Sequence, residues 1–315
     1  KVLAEIKPTD RVGIIGSGPT GIDAYRYLAQ ETKMEVPVHF LVRKKAFSLA
    51  GIVLERDEDY AFSMTHEWIE EKKKANGGHV PLQNILDLIA GDFAAEGASF
   101  DDTYERVKGL EIDMQRKIIE ENDQELALIL AYFERFVEFF PVLFGLLTGS
   151  DREELLEGYD KRLEVFRSFT PVKTVEWLIE EMDAGKLSLD FGLKDIIVLE
   201  GGKFMVKGSK DVVVDILINA GGFNRKLEAN FAKNKLLANL FDRNLILADK
   251  EGKDIVITWP KSSILNKEYG DMDNMYLMGL WVNTTHYRNN DFRSILSVSE
   301  KVAKNFMDHV YPKLA

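Results

Sequence analysis

The chain contains no cysteine. That excludes disulfides, cysteine-ligated zinc, iron–sulfur clusters and the dithiol relay of disulfide-reducing flavoenzymes. An excess of positive charge is missing as well: 41 Lys and Arg stand against 52 Asp and Glu, for a net charge of −11. No overall basic field is there to gather nucleic acid or anionic lipid, so neither is expected as a partner. The five histidines, at 39, 66, 79, 286 and 309, show no ligand spacing such as two histidines four apart on a helix, and no metal site is expected. No serine stands in a nucleophile elbow with partners for a triad. Internal repeats and low-complexity tracts are absent too.

A long uncharged apolar run is also lacking. The most apolar stretch, Leu126 to Leu147, is interrupted by Glu134, Arg135, Glu138 and Pro141. A membrane span needs about 20 mostly uncharged residues, so this stretch reads as a buried or capping helix. The opening KVLAEIKPTD has neither the apolar core nor the small-residue cleavage site of a signal peptide, and a cytoplasmic location is expected. Lys1 stands where a complete reading frame would begin with Met; a trimmed tag and a piece of a longer protein are both open readings.

What is present suits an ordinary folded protein. With 315 residues, 45% hydrophobic and 30% charged, the chain can bury a core as one large domain with an insertion or as two domains. Arg11 to Ile15 reads as a strand, followed by glycines and a helical pattern at Ile22, Tyr25, Leu28 and Ala29. Val36 to Val42 reads as a second, buried parallel strand, completing a right-handed βαβ crossover. From about Asp57 to Asp183 long amphipathic helices are expected, at Thr103 to Glu121, Gln124 to Leu147 and Thr174 to Met182, with Gly77-Gly78 and Gly149-Ser150 as loops. Strands return at Asp195 to Leu199, Lys203 to Val206 and Val212 to Ile218, the pattern of a small β-meander. A last strand, Met275 to Leu280, precedes a helix from about Asn290 to Val310 with Ile295, Val298, Val302, Phe306 and Val310 on one face. Residues 1–56 and 184–315 are therefore expected to form one α/β domain, and 57–183 a mainly helical insertion.

The chemistry concentrates at Gly16-Ser17-Gly18-Pro19-Thr20-Gly21, which has the spacing G-x-G-x-x-G between a strand and a helix. Gly16 permits the tight turn, Gly18 lets backbone approach a pyrophosphate, and Gly21 lets helix and strand pack closely. Phosphates would rest on free N–H groups at the helix N-terminus. A scaffold without ligand, or a site for a nucleoside such as S-adenosylmethionine, are the alternatives. Four residues beyond Gly21, where dinucleotide helices usually carry a small residue, stands Tyr25; the helix is expected to sit further out or to be rotated.

At the end of the second strand an acidic side chain would accept the ribose hydroxyls of NAD or FAD. Arg43, Lys44 and Lys45 occupy that place, and cations there can pair with a 2′-phosphate, which favours NADP. The alternative is a solvated basic turn, since three consecutive cations cannot all face one pocket. Downstream, VVVDILINAGGF is an apolar strand ending in Asn219-Ala220-Gly221-Gly222, whose small residues let backbone run close to a ligand. Taken alone it is equally a strand followed by a plain glycine turn.

GIIGSGPTGIDA, the strand ending NAGG, and MYLMGLWVN before a C-terminal helix together resemble the two-dinucleotide flavoproteins. More narrowly, GSGPTGIDAYRYL followed by HFLVRKKAF is similar to the bacterial FAD/NAD(P)-binding proteins related to lysine and ornithine N-monooxygenases. The resemblance implies an α/β, Rossmann-like FAD/NAD(P)-binding fold. It implies that Gly16 to Gly21 hold the pyrophosphate, that Arg43, with Lys44 beside it, neighbours the adenosine ribose or its phosphate, and that Asn219, Ala220, Gly221, Gly222 and Gly279 line the cofactor. Full members of that family carry two glycine motifs, one for FAD and one nearer NADP, whereas this chain has one. Either it is the later part of such a protein or the single motif serves NADP or FAD alone.

The function expected is that of an oxidoreductase passing hydride between NADP(H), a flavin and a small-molecule substrate. Alternatives are a non-catalytic NAD(P)-sensing or scaffold domain and an opine-type nicotinamide dehydrogenase; the return to strands after Val212 weighs against the last. His286, just beyond the Met275 to Leu280 strand, is the histidine to test as an acid or base, although a hydrogen-bonded loop histidine is the commoner role.

Overall fold

A computed structural model describes residues 2–56, 59–224, 226–283, 285, 287 and 292–310. In chain order the elements are β1 (Val12–Ile15), α1 (Pro19–Tyr27), β2 (Val38–Leu41) and β3 (Ala50–Gly51). A helical stretch follows: α2 (His66–Ala75), α3 (Leu82–Ala95), α4 (Phe100–Val107), α5 (Ile112–Glu121), α6 (Gln124–Phe136), α7 (Phe140–Leu146), α8 (Gly149–Glu154) and α9 (Asp160–Arg167). Next come β4 (Thr170–Pro171), α10 (Val172–Asp183), β5 (Leu187–Asp190), β6 (Asp195–Val198), β7 (Phe204–Lys207), β8 (Val212–Val214) and β9 (Ile216–Asn219). The remainder is α11 (Glu228–Phe231), α12 (Lys235–Asp242), β10 (Ser263–Asn266), β11 (Gly270–Tyr276) and α13 (Phe292–Asn305). No described helix is long and apolar enough to cross a membrane.

The architecture is α/β, with a parallel sheet, a mainly helical segment and a small meander, as expected. Packing divides the chain into two compact units, 1–63 with 88–134 and 156–222, and 64–87 with 135–155 and 223–315. The first unit is built on a four-stranded parallel sheet in the order β5-β2-β1-β9. Side chains alternate across it, as the period of a strand requires. Val12, Ile14, Val38, Phe40, Ile216 and Ile218 join Ile22, Tyr25 and Leu28 of the α1 side and Leu178 of α10 in one core. Ile15, Leu41 and Leu217 face the other way and pack with Val206, Val212 and Val214 of the antiparallel sheet β6-β7-β8. The sheet thus has helices on one face and the meander on the other.

The apolar run Val212 to Ile218 is two strands, not one, and Asp215 is where it divides. Upstream, β8 completes the meander, and downstream, β9 joins β1 in the parallel sheet. The Asp215 carboxylate accepts from the Arg11 backbone N–H at 3.0 Å, from Arg11 Nε at 3.1 Å and Nη2 at 3.2 Å, and pairs with Lys203 Nζ at 3.1 Å. These donors, above all the Arg11 side chain, hold its pKa far below the usual carboxylate range. A charged side chain in an apolar run therefore serves as the pin between two sheets.

Tyr25 also departs from expectation. The close approach at Gly21 is kept, and the ring is buried at 1% exposure between Phe40, 5.8 Å away edge-on, and Trp177 of α10 at 5.3 Å. Its hydroxyl donates to Glu181 Oε2 at 2.8 Å, while Glu181 Oε1 pairs with Lys186 Nζ at 3.2 Å. Burial, reinforced by Glu181, pushes the Tyr25 pKa well above its ordinary value, so it remains a donor. The large residue bridges α1 to α10 where a small one would leave a gap.

Several expected elements break where local chemistry demands. The helix read over Thr103 to Glu121 is α4 and α5, parted at Lys108-Gly109-Leu110, where Leu110 takes a positive φ of 52°. That read over Gln124 to Leu147 is α6 and α7, since Pro141 has no N–H to continue a helix and fits the first turn of a new one. Gly149-Ser150 is not a loop but the start of α8, which Thr148 caps by accepting from the Asp151 N–H at 3.2 Å.

In the second unit, a core of Leu227, Leu237, Ile246, Ile255, Ile257, Ile264 and Val282 is closed by the antiparallel pair β10-β11. Met275 and Tyr276 end β11, and the chain then turns into a short 3-10 helix at Leu280–Val282, so the strand expected over Met275 to Leu280 does not join the parallel sheet. On α13, Val298 is buried, whereas Ile295 is exposed.

Two outcomes follow for stability. Tyr25→Phe removes a buried donor and is expected to lower the free energy of unfolding in urea by about 1–2 kcal/mol. Asp215→Asn is expected to be less stable than wild type by a constant margin at neutral pH. Because the folded pKa lies below that of the unfolded chain, the margin is full above about pH 4–5 and closes as pH falls further, which thermal melts across pH can follow.

Candidate functional site

β1 ends at Ile15 and the backbone reverses at Gly16, whose φ of +86° lies where glycine is favoured. A Cβ there would lie 2.9 Å from the Ala220 carbonyl oxygen and 3.2 Å from Gly221 Cα. The glycine turn and the Asn219-Gly222 turn are thus pressed together, with the Ala220 N–H donating to the Ile15 carbonyl at 3.0 Å. Asn219 Oδ1 accepts from the Gly221 N–H at 3.1 Å, fixing the second turn.

α1 begins at once. Gly18 is its N-cap in an extended conformation, and Pro19 takes the first helical position, for which its fixed φ and missing N–H suit it. The first bond of the helix runs from Ile22 N–H to the Gly18 carbonyl at 3.0 Å. Helix geometry leaves the Thr20 and Gly21 N–H groups without intrahelical acceptors, and no acidic side chain stands in the first turn to compete for them. At Gly21 the fit is tighter still: a Cβ would meet the Gly16 carbonyl oxygen at 2.4 Å and Phe40 Cε1 at 3.2 Å. Gly18 is the opposite case, with no described atom within 4 Å of where a Cβ would be. Two glycines are demanded by the fold, while the one between them leaves room.

The basic turn is anchored to this corner. Gly16 N–H donates to the Leu41 carbonyl at 3.1 Å, and Ser17 Oγ donates to the Ala46 carbonyl. Beyond it, Gln115 of α5 is fully buried; its Oε1 accepts from the Ala50 N–H at 2.8 Å, and its amide donates to the Phe47 carbonyl at 3.5 Å. Between these anchors Arg43, Lys44 and Lys45 are all exposed, and no hydrogen bond or ion pair engages their side chains. Their chain neighbours are not free: Ala46 and Phe47 are buried, with the Phe47 ring 5.5 Å from Phe40. The arrangement is a loop anchored at both ends that offers three cations, unpaired among the described residues, near a helix N-terminus, a charge pattern complementary to a polyanion.

Gly16 to Gly21, the Arg43-Lys45 turn and Asn219 to Gly222 are therefore brought together at the C-terminal edge of the sheet. Gly279 belongs to the second compact unit, with a φ of +96° before the 3-10 turn. His286 lies outside the described residues. Among the described residues no group of three or more His, Asp or Glu could hold a metal ion.

The β5 strand escaped sequence reading. Leu187-Ser188-Leu189-Asp190 is short and half polar, and its alternation was the only available signal. It carries a polar lock: His39 Nδ1 lies 2.8 Å from Asp190 Oδ2 and 2.7 Å from Ser188 Oγ, joining β2 to β5. Both partners meet the same ring nitrogen, which is the geometry of a brace and not of a triad.

No family model matches the chain, and no curated protein matches it. Among solved structures, the ornithine hydroxylase PvdA from Pseudomonas aeruginosa is similar over 96% of this chain and 53% of that one, at 13% identity and a TM-score of 0.50. The L-lysine 6-monooxygenase of Pseudomonas syringae is similar over 98% and 56%, at 14% identity and 0.48. The cadaverine monooxygenase DfoA of Erwinia amylovora, in a structure bound to FAD, is similar over 96% and 51%, at 11% identity and 0.47. The chain spans about half the length of these enzymes. At such identity the likeness to the ornithine hydroxylase is one of fold, and it places this chain among Rossmann-like α/β architectures.

Proposed function

We propose that the chain binds an adenine dinucleotide with its diphosphate at the N-terminus of α1 and its adenosine ribose at the Arg43-Lys45 turn, as part of an oxidoreductase that passes hydride between NADP(H), a flavin and a small-molecule substrate. The observation that carries the reading is Gly18. The fold would tolerate a side chain there, so its openness serves no packing purpose, and it stands at the N-cap of the helix whose first-turn N–H groups a diphosphate needs. NADP is favoured over FAD because the strand-end position holds unpaired cations that suit a 2′-phosphate and no carboxylate that would accept ribose hydroxyls.

When bound, NADPH would supply the hydride, and the residues of this chain would hold it. Thr20 and Gly21 N–H groups would donate to the diphosphate, and Ser17, tied to Ala46, would keep the basic turn in register with them. The solved structure whose fold the chain resembles is, by its name, an ornithine hydroxylase, an enzyme acting on an amine. An amine substrate oxidised by a flavin partner of the chain is the corresponding reading of the whole reaction.

Gly18→Ala is expected to leave the melting temperature unchanged, because its φ of −77° and ψ of −176° suit any residue and nothing crowds the added methyl. The same variant should weaken NADP+ binding by tenfold or more by calorimetry, on the order of 1.4 kcal/mol, as the methyl enters the diphosphate position. An unchanged affinity would sink the reading. Replacing Arg43, Lys44 and Lys45 together by Ser is expected to weaken NADPH by roughly 10- to 100-fold while leaving NADH nearly unchanged, since each lost charge-assisted hydrogen bond is worth about 1.5–3 kcal/mol. Equal losses for the two would show a general electrostatic effect and would count against a 2′-phosphate.

A further inference from the structure

The backbone beyond the basic turn is fixed with unusual thoroughness. β5 lies beside β2 in a register that ends at Leu41↔Asp190, and Phe191 is the first residue past the strand. Past the end of the strand the two chains stay tied: Val42 N–H donates to the Asp190 carbonyl at 2.9 Å, Gly192 N–H to the Arg43 carbonyl at 3.1 Å, and Leu193 N–H to the Val42 carbonyl at 3.1 Å. From the other side, Ser209 N–H, in the β7-β8 turn, donates to the Phe191 carbonyl at 2.9 Å. Gly192 has a φ of +78°, and a Cβ on it would lie 2.5 Å from Ser209 Oγ, so this corner admits glycine only.

All of that order presents one partly exposed aromatic side chain. Phe191 is 40% exposed and belongs to none of the buried apolar clusters. A lone exposed apolar residue is ordinary on a protein surface; the position of this one is what singles it out. Neighbouring strands stand about 4.8 Å apart, so the ends of β1, β2 and β5 are three successive stations about 10 Å from first to last. The diphosphate occupies the first and the ribose the second in the reading above. A nucleotide laid along that edge brings its base to the third, where the ring stands.

We propose that Phe191 is the stacking shelf for the adenine base of the bound dinucleotide. The inference rests on the dinucleotide reading and assigns the base its place within that site. Stacking on an aromatic ring contributes about 1–3 kcal/mol per base when judged by substitution with alanine. Four hydrogen bonds fix the backbone on either side of the ring, so only its side-chain rotation remains to be ordered on binding.

The test uses the full chain and calorimetric titration with adenosine 2′,5′-bisphosphate, NADP+ and inorganic pyrophosphate. Phe191→Ala should weaken the bisphosphate and NADP+ about tenfold and leave pyrophosphate binding as in wild type. Phe191→Tyr, which keeps an aromatic face, should retain wild-type affinity. Bisphosphate binding that is unchanged in Phe191→Ala, or lost equally in Phe191→Tyr, overturns the shelf while the dinucleotide site stands. A wild-type chain that binds neither the bisphosphate nor NADP+ overturns both.

Discussion

The close contact between the start of α1 and the end of β1 governs what the rest of the first unit can do. With 2.4 Å between a would-be Cβ on Gly21 and the Gly16 carbonyl, the helix lies against the strand as near as backbone permits. That nearness aims the first-turn N–H groups over the sheet edge, and it fixes how far the helix can stand from β2 further along. Tyr25, one turn later, fills the widening gap with a ring wedged between Phe40 and Trp177. A smaller residue at that point would suit a helix packed on the sheet alone. This helix is shared with α10, and the tyrosine hydroxyl reaches Glu181 there.

The sheet itself is buried on both faces, so the two sides of each strand answer to different partners. On the helical side the residues are uniformly apolar; on the other, Leu41 and Leu217 meet the meander while His39, Ser188 and Asp190 form a polar brace near the β5 edge. Asp215 connects these layers, since it is the one residue between β8 and β9, and Arg11 grips it just before β1 starts. Meander, parallel sheet and glycine turn are thereby referred to one point, and the register of the site edge follows from it.

The βαβ corner was legible in the sequence because its constraints are local: a β-branched run, glycines at fixed offsets, and a helical pattern from Ile22 onward. The meander was legible for the same reason, through Gly201-Gly202 between two short apolar runs. What was hidden depended on contacts distant in sequence. The division at Asp215 is invisible until Arg11, 204 residues earlier, supplies the partner that makes a charge tolerable there. β5 offers four residues of mixed polarity, too few to declare a period, and only pairing with β2 makes it a strand. Tyr25 looked like an obstacle to helix packing because Trp177 and Glu181 are not within view of its own segment. At the site, Gly16 to Gly21 and Arg43 were readable as types at a spacing, whereas the difference between the crowded Gly21 and the open Gly18 is a property of the folded surroundings alone.

A chain with a net charge of −11 is a poor general collector of anions, yet the proposed ligand is a polyanion. The two facts are reconciled by range. At physiological ionic strength exposed charges are screened beyond about 8 Å, so a phosphate at the sheet edge feels its immediate neighbours far more than the sum over the molecule. Those neighbours are three cations without partners and a helix terminus carrying roughly half a positive charge. Elsewhere cations such as Arg11 and Arg116 are spent on carboxylates, those of Asp215 and Asp183. Leaving Arg43, Lys44 and Lys45 unspent on a loop braced by Ser17, Gln115 and β5 is what would let an acidic protein hold the proposed phosphate locally, and on that proposal the bracing of the loop matters to recognition as much as its charge.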